Sequence, residues 1–293
     1  MNANVKVLVI GATGMAGRVV VTQLDQAAVP VRALVRDVPK ARRLFPASVE
    51  LRQGDAFDEA TLQKALEGVS HVYFHPAATL SRSEARSMDR VGTRLLVKHL
   101  PATAHLIKLS EIGAGPNPSF HDIDCKYRSE LDIRERLTSW TILRPTWFME
   151  SIPFLLTMGP VSVCFGGQPG PIWWLSCQDY ALTVLACVQK PAVSQNRVFT
   201  LQGPEAYPML DALRLFNREA RTGKGSLRLP LGLLTLPARW SEQFRFNQQI
   251  MHYYNGRRET FESEPAHRLL HQPALTLAAF ARRFHPPARG GTL

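Results

Sequence analysis

The stretch that most constrains this chain is Val5 to Gly17, which reads VKVLVIGATGMAG. Val5 to Ile10, apolar except for Lys6, is the short run expected of a buried parallel strand. It leads directly into Gly11-Ala12-Thr13-Gly14-Met15-Ala16-Gly17, and Arg18 to Leu24 then reads as a helix. Each glycine has a separate mechanical task. Gly11 permits a sharp turn out of the strand, Gly14 lets the backbone approach a pyrophosphate, and Gly17 lets the helix pack closely on the sheet. The helix start would then turn its free N–H groups and positive dipole end toward the anion. Thr13 and Met15, between the glycines, are candidate cofactor positions with them. Three glycines alone are a weak signal, but a preceding strand and a following helix form the context a phosphate-binding turn requires. The alternative is a glycine-rich turn without a ligand.

The same strand-then-helix rhythm continues. Val29–Val35, Val49–Gln53, Ser70–Phe74, His105–Leu109, Trp140–Leu143, Ile172–Leu175 and Arg197–Leu201 read as strands. Helices are expected at Asp58–Leu66, Ser87–His99, Asp122–Leu137, Asp179–Gln189 and Met209–Arg221. Alternation of this kind predicts an α/β chain, a doubly wound parallel sheet of the Rossmann type, with a smaller C-terminal substrate or partner region. The expected division is residues 1–202 for a nucleotide-binding domain and 203–293 for the smaller, basic region. Residues 151–174 form an apolar connecting segment toward the substrate side. The tail from Arg282 to Leu293 is expected to be disordered at its end.

Cofactor choice turns on the end of the second strand. About 19 residues after the third glycine, an NAD-specific fold places an acid for the ribose hydroxyls. Here that residue is Arg36. A guanidinium can bond a 2′-phosphate in a forked, charge-assisted geometry, so NADP(H) is favoured over NAD(H). The competing reading sends Arg36 to solvent and gives the ribose to Asp37.

Several of these strings resemble the short-chain dehydrogenase/reductase superfamily, in particular its atypical, NmrA-like branch. GATGxxG opens that family, and Leu143 to Glu150 (LRPTWFME) is similar to its LRPxxFME pattern. His75-Pro76-Ala77-Ala78 resembles its HxAA turn, and Asp89-Arg90-Val91-Gly92-Thr93 resembles NVxGT, with Asp89 where the Asn would stand. The resemblance spans Lys6 to Glu205. It implies that Asp55 and the Ala56 N–H meet the adenine, and that His75 lies beside the nicotinamide ribose. His75 reads either as a structural strand-end histidine or as a catalytic acid. The resemblance also places Ser110 and Lys126 at the family's catalytic serine and lysine positions, with Lys126 touching the cofactor.

The family's Tyr-x-x-x-Lys pair is missing, because Asp122 stands four residues before Lys126. Two readings follow. In one, the chain reduces a small activated acceptor (a quinone, imine or enone), with the cofactor carrying most of the chemistry and Lys126 or a water protonating the product. In the other, it binds NADP(H) without turnover and reports redox state to a regulatory protein partner. Trp147, Phe148, Phe154, Phe165, Trp173 and Trp174 would line the acceptor pocket in the first reading and a protein-facing patch in the second; core packing is the third possibility. Lys126 as an ordinary solvated helix lysine also remains open.

Charge adds one more constraint. The net formal charge is +11, and from Arg218 onward twelve Lys and Arg face five Glu. No nucleic-acid-reading module accompanies that surplus, so a solvated face and a polyanionic cofactor are the expected explanations. Cys125, Cys164, Cys177 and Cys187 show no metal-binding spacing, and reduced thiols in a cytoplasmic setting are expected. The uncharged stretch Ser151 to Gln178 is broken by prolines, so no transmembrane segment is expected there.

Overall fold

The computed structural model describes residues 5–78, 80, 83–116, 120–167 and 170–284. The expected disorder at residues 285–293 lies outside the described residues, as does Pro169 of the uncharged stretch. The chain divides into two compact units. The first runs to Pro145 and adds Cys177–Leu201 and Ser263–Gln272. The second comprises Thr146–Ser176, Gln202–Glu262 and the chain from Pro273 onward. Thus residues 146–176 join the C-terminal region, and a ten-residue segment assigned to that region by sequence belongs to the first unit.

In the first unit, β1 (Val7–Ile10), β2 (Val31–Val35), β3 (Glu50–Gln53), β4 (His71–Phe74), β5 (His105–Leu109), β6 (Trp140–Pro145) and β9 (Arg197–Leu201) are all parallel. Their order is β3-β2-β1-β4-β5-β6-β9, the expected doubly wound sheet. Strand order reverses between β1 and β4, and ligands of such sheets bind outside the carboxyl ends of the strands at that point. The helices are α1 (Met15–Gln26), α2 (Val38–Arg42), α3 (Glu59–Leu66), α4 (Met88–His99), α5 (His121–Arg136), α7 (Cys177–Gln189), α8 (Pro191–Ser194) and α11 (Glu264–Leu269).

Side-chain alternation divides the sheet's two faces. Leu8, Ile10, Val72, Phe74, Leu106 and Ile142 point into a core with Leu62 and Leu66 of α3, Leu96 of α4 and Ile133 of α5. Lys108 and Ser110 follow Leu106 at the same period of two, so they face α4 and α5 as well. On the opposite face α1 packs on α7, and the buried Tyr73 hydroxyl meets that of Tyr180 at 3.2 Å. Ser263–Gln272 is tied back by His271, whose Nε2 lies 2.9 Å from Asp179 Oδ1.

The second unit holds α6 (Ser151–Phe154), β7 (Thr157–Met158), β8 (Val161–Phe165), α9 (Met209–Glu219), β10 (Gly225–Leu229), α10 (Glu242–Asn255) and α12 (Leu277–Arg283). Its sheet has the order β10-β8-β7, and α9 packs on β8 and β10. The expected strand Ile172–Leu175 is not one. Those residues make only isolated bridges, Phe148 to Leu175 and Ile172 to Tyr207. The helix in which the tail begins, α12, is ordered through Arg283.

Candidate cofactor and active site

The glycine turn is shaped partly by the fold and partly by something the fold does not require. Gly11 has φ +86°, and a Cβ there would lie 2.2 Å from the His75 carbonyl oxygen. A Cβ on Gly17 would lie 2.0 Å from the Gly11 carbonyl oxygen, so α1 could not sit where it does. Gly14 differs. It is the extended N-cap of α1, exposed, and an added Cβ would meet only the Gly11 oxygen at 3.3 Å. A small side chain at Gly14 would ask the Gly11 carbonyl to give by only a few tenths of an ångström, and the bare backbone leaves a cradle in front of the helix. No side chain caps α1, and its first turn carries no acid. These features fit a bound pyrophosphate.

The remaining nucleotide positions lie at the ends of neighbouring strands. Thr13 is exposed and Met15 half-buried beside the turn. Arg36 leaves β2 exposed. Asp37, its rival for the ribose, caps α2 by accepting the Lys40 N–H at 2.8 Å. Asp55 is half-buried, Ala56 is buried, and Asp55 Oδ1 accepts the Phe57 N–H at 3.0 Å. His75 closes β4, its N–H donating to the Ile10 carbonyl at 3.0 Å. Burial pushes its pKa down to about 4, with the charges of Lys126 and Lys108 adding to the effect. That lowering disfavours a protonated imidazole at His75 and so weighs against the catalytic-acid reading.

Between β5, α4 and α5 lies a buried charge cluster. Asp89 Oδ1 is 2.5 Å from Lys108 Nζ, and Asp89 Oδ2 is 3.1 Å from Lys126 Nζ. Lys126 also reaches Asp122 Oδ2 at 3.5 Å, one helical turn away. All four residues are buried. Burial opposes the charge on Lys126, but Asp122 and Asp89 outweigh it and raise its pKa. The same lysines hold the Asp89 carboxyl below its ordinary range against the effect of burial, while burial lowers the pKa of Lys108. Lys126 is thus neither solvated nor poised to give up its proton, contrary to two of the sequence readings. It is a fixed cation.

Ser110 belongs to a second cluster. Its hydroxyl donates to Glu130 Oε1 at 2.5 Å, and Arg144 Nε donates to the same oxygen at 3.0 Å. The serine's hydrogen is committed to this buried carboxylate, so the structure does not pair Ser110 with Lys126. Sequence reasoning missed Lys108 and Glu130. The available signals were a lysine inside the apolar strand HLIKL and an acid, Asp89, where the resembling motif has a neutral amide.

The expected aromatic pocket wall is largely packed within the second unit. Trp147 and Trp174 are buried with ring centroids 6.2 Å apart, and Tyr254 meets Trp147 edge-on at 5.0 Å. Trp173 lies against Phe261. Core packing therefore accounts for Trp147 and Trp174.

A protein family described as NAD(P)H-binding matches residues 11–158, half of the chain and the whole of the turn and charge cluster just described. The chain belongs to the NAD(P)H-binding family. It is an NAD(P)H-binding protein related to oxidoreductases. It is 26% identical over 204 residues to an NAD(P)H azoreductase of Xenophilus azovorans, covering 68% of each chain. To the (4-alkanoyl-5-oxo-2,5-dihydrofuran-3-yl)methyl phosphate reductase of Streptomyces griseus it is 30% identical over 209 residues, again 68% of each. Triphenylmethane reductase of Citrobacter sp., complexed with NADP(H), has the same fold, with TM-score 0.73, 21% identity and coverage of 94% of this chain and 98% of that one. NmrA, a negative transcriptional regulator, in complex with NADP, gives TM-score 0.71 at 17% identity, covering 97% and 96%. Family membership and the exposed Arg36 together favour NADP(H) as the cofactor of this NAD(P)H-binding protein.

Proposed function

We propose that the chain is an NADPH-dependent reductase of a small activated acceptor (a quinone, imine or enone) that works without a Tyr–Lys pair. Lys126 carries this reading: a buried ammonium pinned by Asp89 and Asp122, within electrostatic reach of His75. Bound NADPH would supply the hydride. Negative charge grows on the acceptor as it is reduced, and a preorganised cation stabilises it without reorientation. Because Lys126 holds its proton tightly, water completes the reduction. Gly11, Thr13, Gly14, Met15 and Gly17 would hold the pyrophosphate, Arg36 the 2′-phosphate, and Asp55 and Ala56 the adenine. His75 would lie against the nicotinamide ribose. Ser110 would act only by fixing Glu130. The azo and dihydrofuranone compounds in the relatives' names support the acceptor class, since both are conjugated electrophiles.

A second reading is that the chain binds NADP(H) and signals to a protein partner without turnover. The commitment of Ser110 to Glu130 and the likeness to NmrA favour it. NADPH oxidation across a panel of quinones, imines and enones, beside cofactor calorimetry, separates the two. Turnover with one of these classes is expected. Tight binding with no turnover across the panel would decide for the sensor.

A further inference from the structure

The second unit exposes several large apolar side chains, Leu155 and Met158 among them, and one run of chain carries four. After β10 come two 3₁₀ turns, Leu231–Leu234 and Pro237–Arg239, which pack on α10. Leu234 and Ala238 point inward and anchor the turns. Leu233, Leu236 and Trp240 point outward, 57%, 60% and 76% exposed, and Phe244 in the first turn of α10 is exposed beside them. Leu233 lies in the first of these turns and Leu236 in the link between the two. Folded elements therefore present this apolar group.

Charge and backbone bonding indicate what it meets. Residues 224–245 carry Lys224, Arg228, Arg239 and Arg245 against the single acid Glu242, within a chain of net charge +11. The backbone N–H groups of Leu233, Thr235, Arg239, Trp240 and Ser241 are all bonded within these turns. The segment can thus enter a medium poor in water without exposing those donors. Leucine, tryptophan and phenylalanine at the tip with arginines alongside are the chemistry of a segment lying in a lipid interface. Among the described residues no helix is long and apolar enough to cross a membrane, so this would be surface attachment.

We propose that Leu233, Leu236, Trp240 and Phe244, flanked by Arg239 and Arg245, dock the protein on an anionic membrane surface. The test is co-sedimentation of the full chain with phosphatidylcholine vesicles, with and without phosphatidylglycerol. Binding to the anionic vesicles is expected, weakened about 25-fold by Arg239→Gln with Arg245→Gln, or about fivefold per charge. Leu236→Glu with Trp240→Ser, both exposed and so compatible with folding by circular dichroism, should reduce it at least about tenfold. Absence of binding to either vesicle would overturn the proposal. So would binding indifferent to the Leu236 and Trp240 changes, or a concentration-dependent dimer abolished by them, which would assign the surface to a second copy of the chain.

Discussion

Arg36 and Asp37 sit side by side at the end of β2, and their side chains do different work. Asp37 uses Oδ1 to cap α2, while Arg36 stays exposed and, in the proposed reading, would meet a 2′-phosphate. Arg36→Asp should weaken NADPH by about 2–4 kcal/mol, roughly 30- to 1000-fold, and leave NADH nearly unchanged. Equal losses measured by calorimetry would remove Arg36 from the phosphate site. Lys126→Met keeps the alkyl stem and deletes the fixed cation. In the proposed reductase it should lower kcat about 10- to 1000-fold, with a smaller loss of NADPH affinity. A kcat unchanged on an acceptor that the unsubstituted protein reduces would end its catalytic assignment. The sequence placed Lys126 at a meaningful position but could not show its partners. Spacing reveals Asp122 one turn away, whereas Asp89 and Lys108 reach it only through the packing of α4 and β5.

At the scale of elements, α1 separates two kinds of glycine. Gly17 is demanded by the fold, since a Cβ there would overlap the Gly11 carbonyl. Gly14 is under far less demand from the fold, since a Cβ there would meet only the Gly11 oxygen at 3.3 Å. Gly17→Val should therefore unfold or strongly destabilise the first unit, whereas Gly14→Val should leave its thermal transition nearly intact and abolish binding of both cofactors. Unchanged affinity in Gly14→Val would detach the turn from the pyrophosphate. All seven strands of the sheet were legible, VLVI, VRALV, HVYF and HLIKL most readily because they are short, mostly apolar runs between turn residues. The second unit was less so. VSVCF lay within an apolar segment read as a connection, and GSLRL is a half-exposed strand without a continuous apolar signal. The apolar stretch Ile172–Leu175 misled in the other direction, because its burial comes from side-chain packing and isolated bridges.

At the scale of the molecule, acid should be felt at the amino-terminal end of the sheet. His105 is buried between Ser139 Oγ and Thr141 Oγ1, each 2.8 Å from a ring nitrogen. Burial, with His71 adding to it, pushes its pKa from 6.5 down to about 4. The unfolded chain binds a proton there that the native state refuses, so this stabilisation is complete above pH 6.5 and is lost as pH falls through about 4. The loss should be about 2–3 kcal/mol, and His105→Asn should flatten the slope of unfolding free energy over that window. An unchanged slope would mean that His105 titrates normally. The division of the chain bears on synthesis as well. The first unit takes up Ser263–Gln272, with His271 bonded to Asp179, after the chain has twice left it for the second unit. A ribosome releasing this polypeptide from its amino end therefore cannot deliver a finished nucleotide-binding unit when residue 202 emerges. That unit must wait, its α11 position empty, until the chain has been made as far as Gln272.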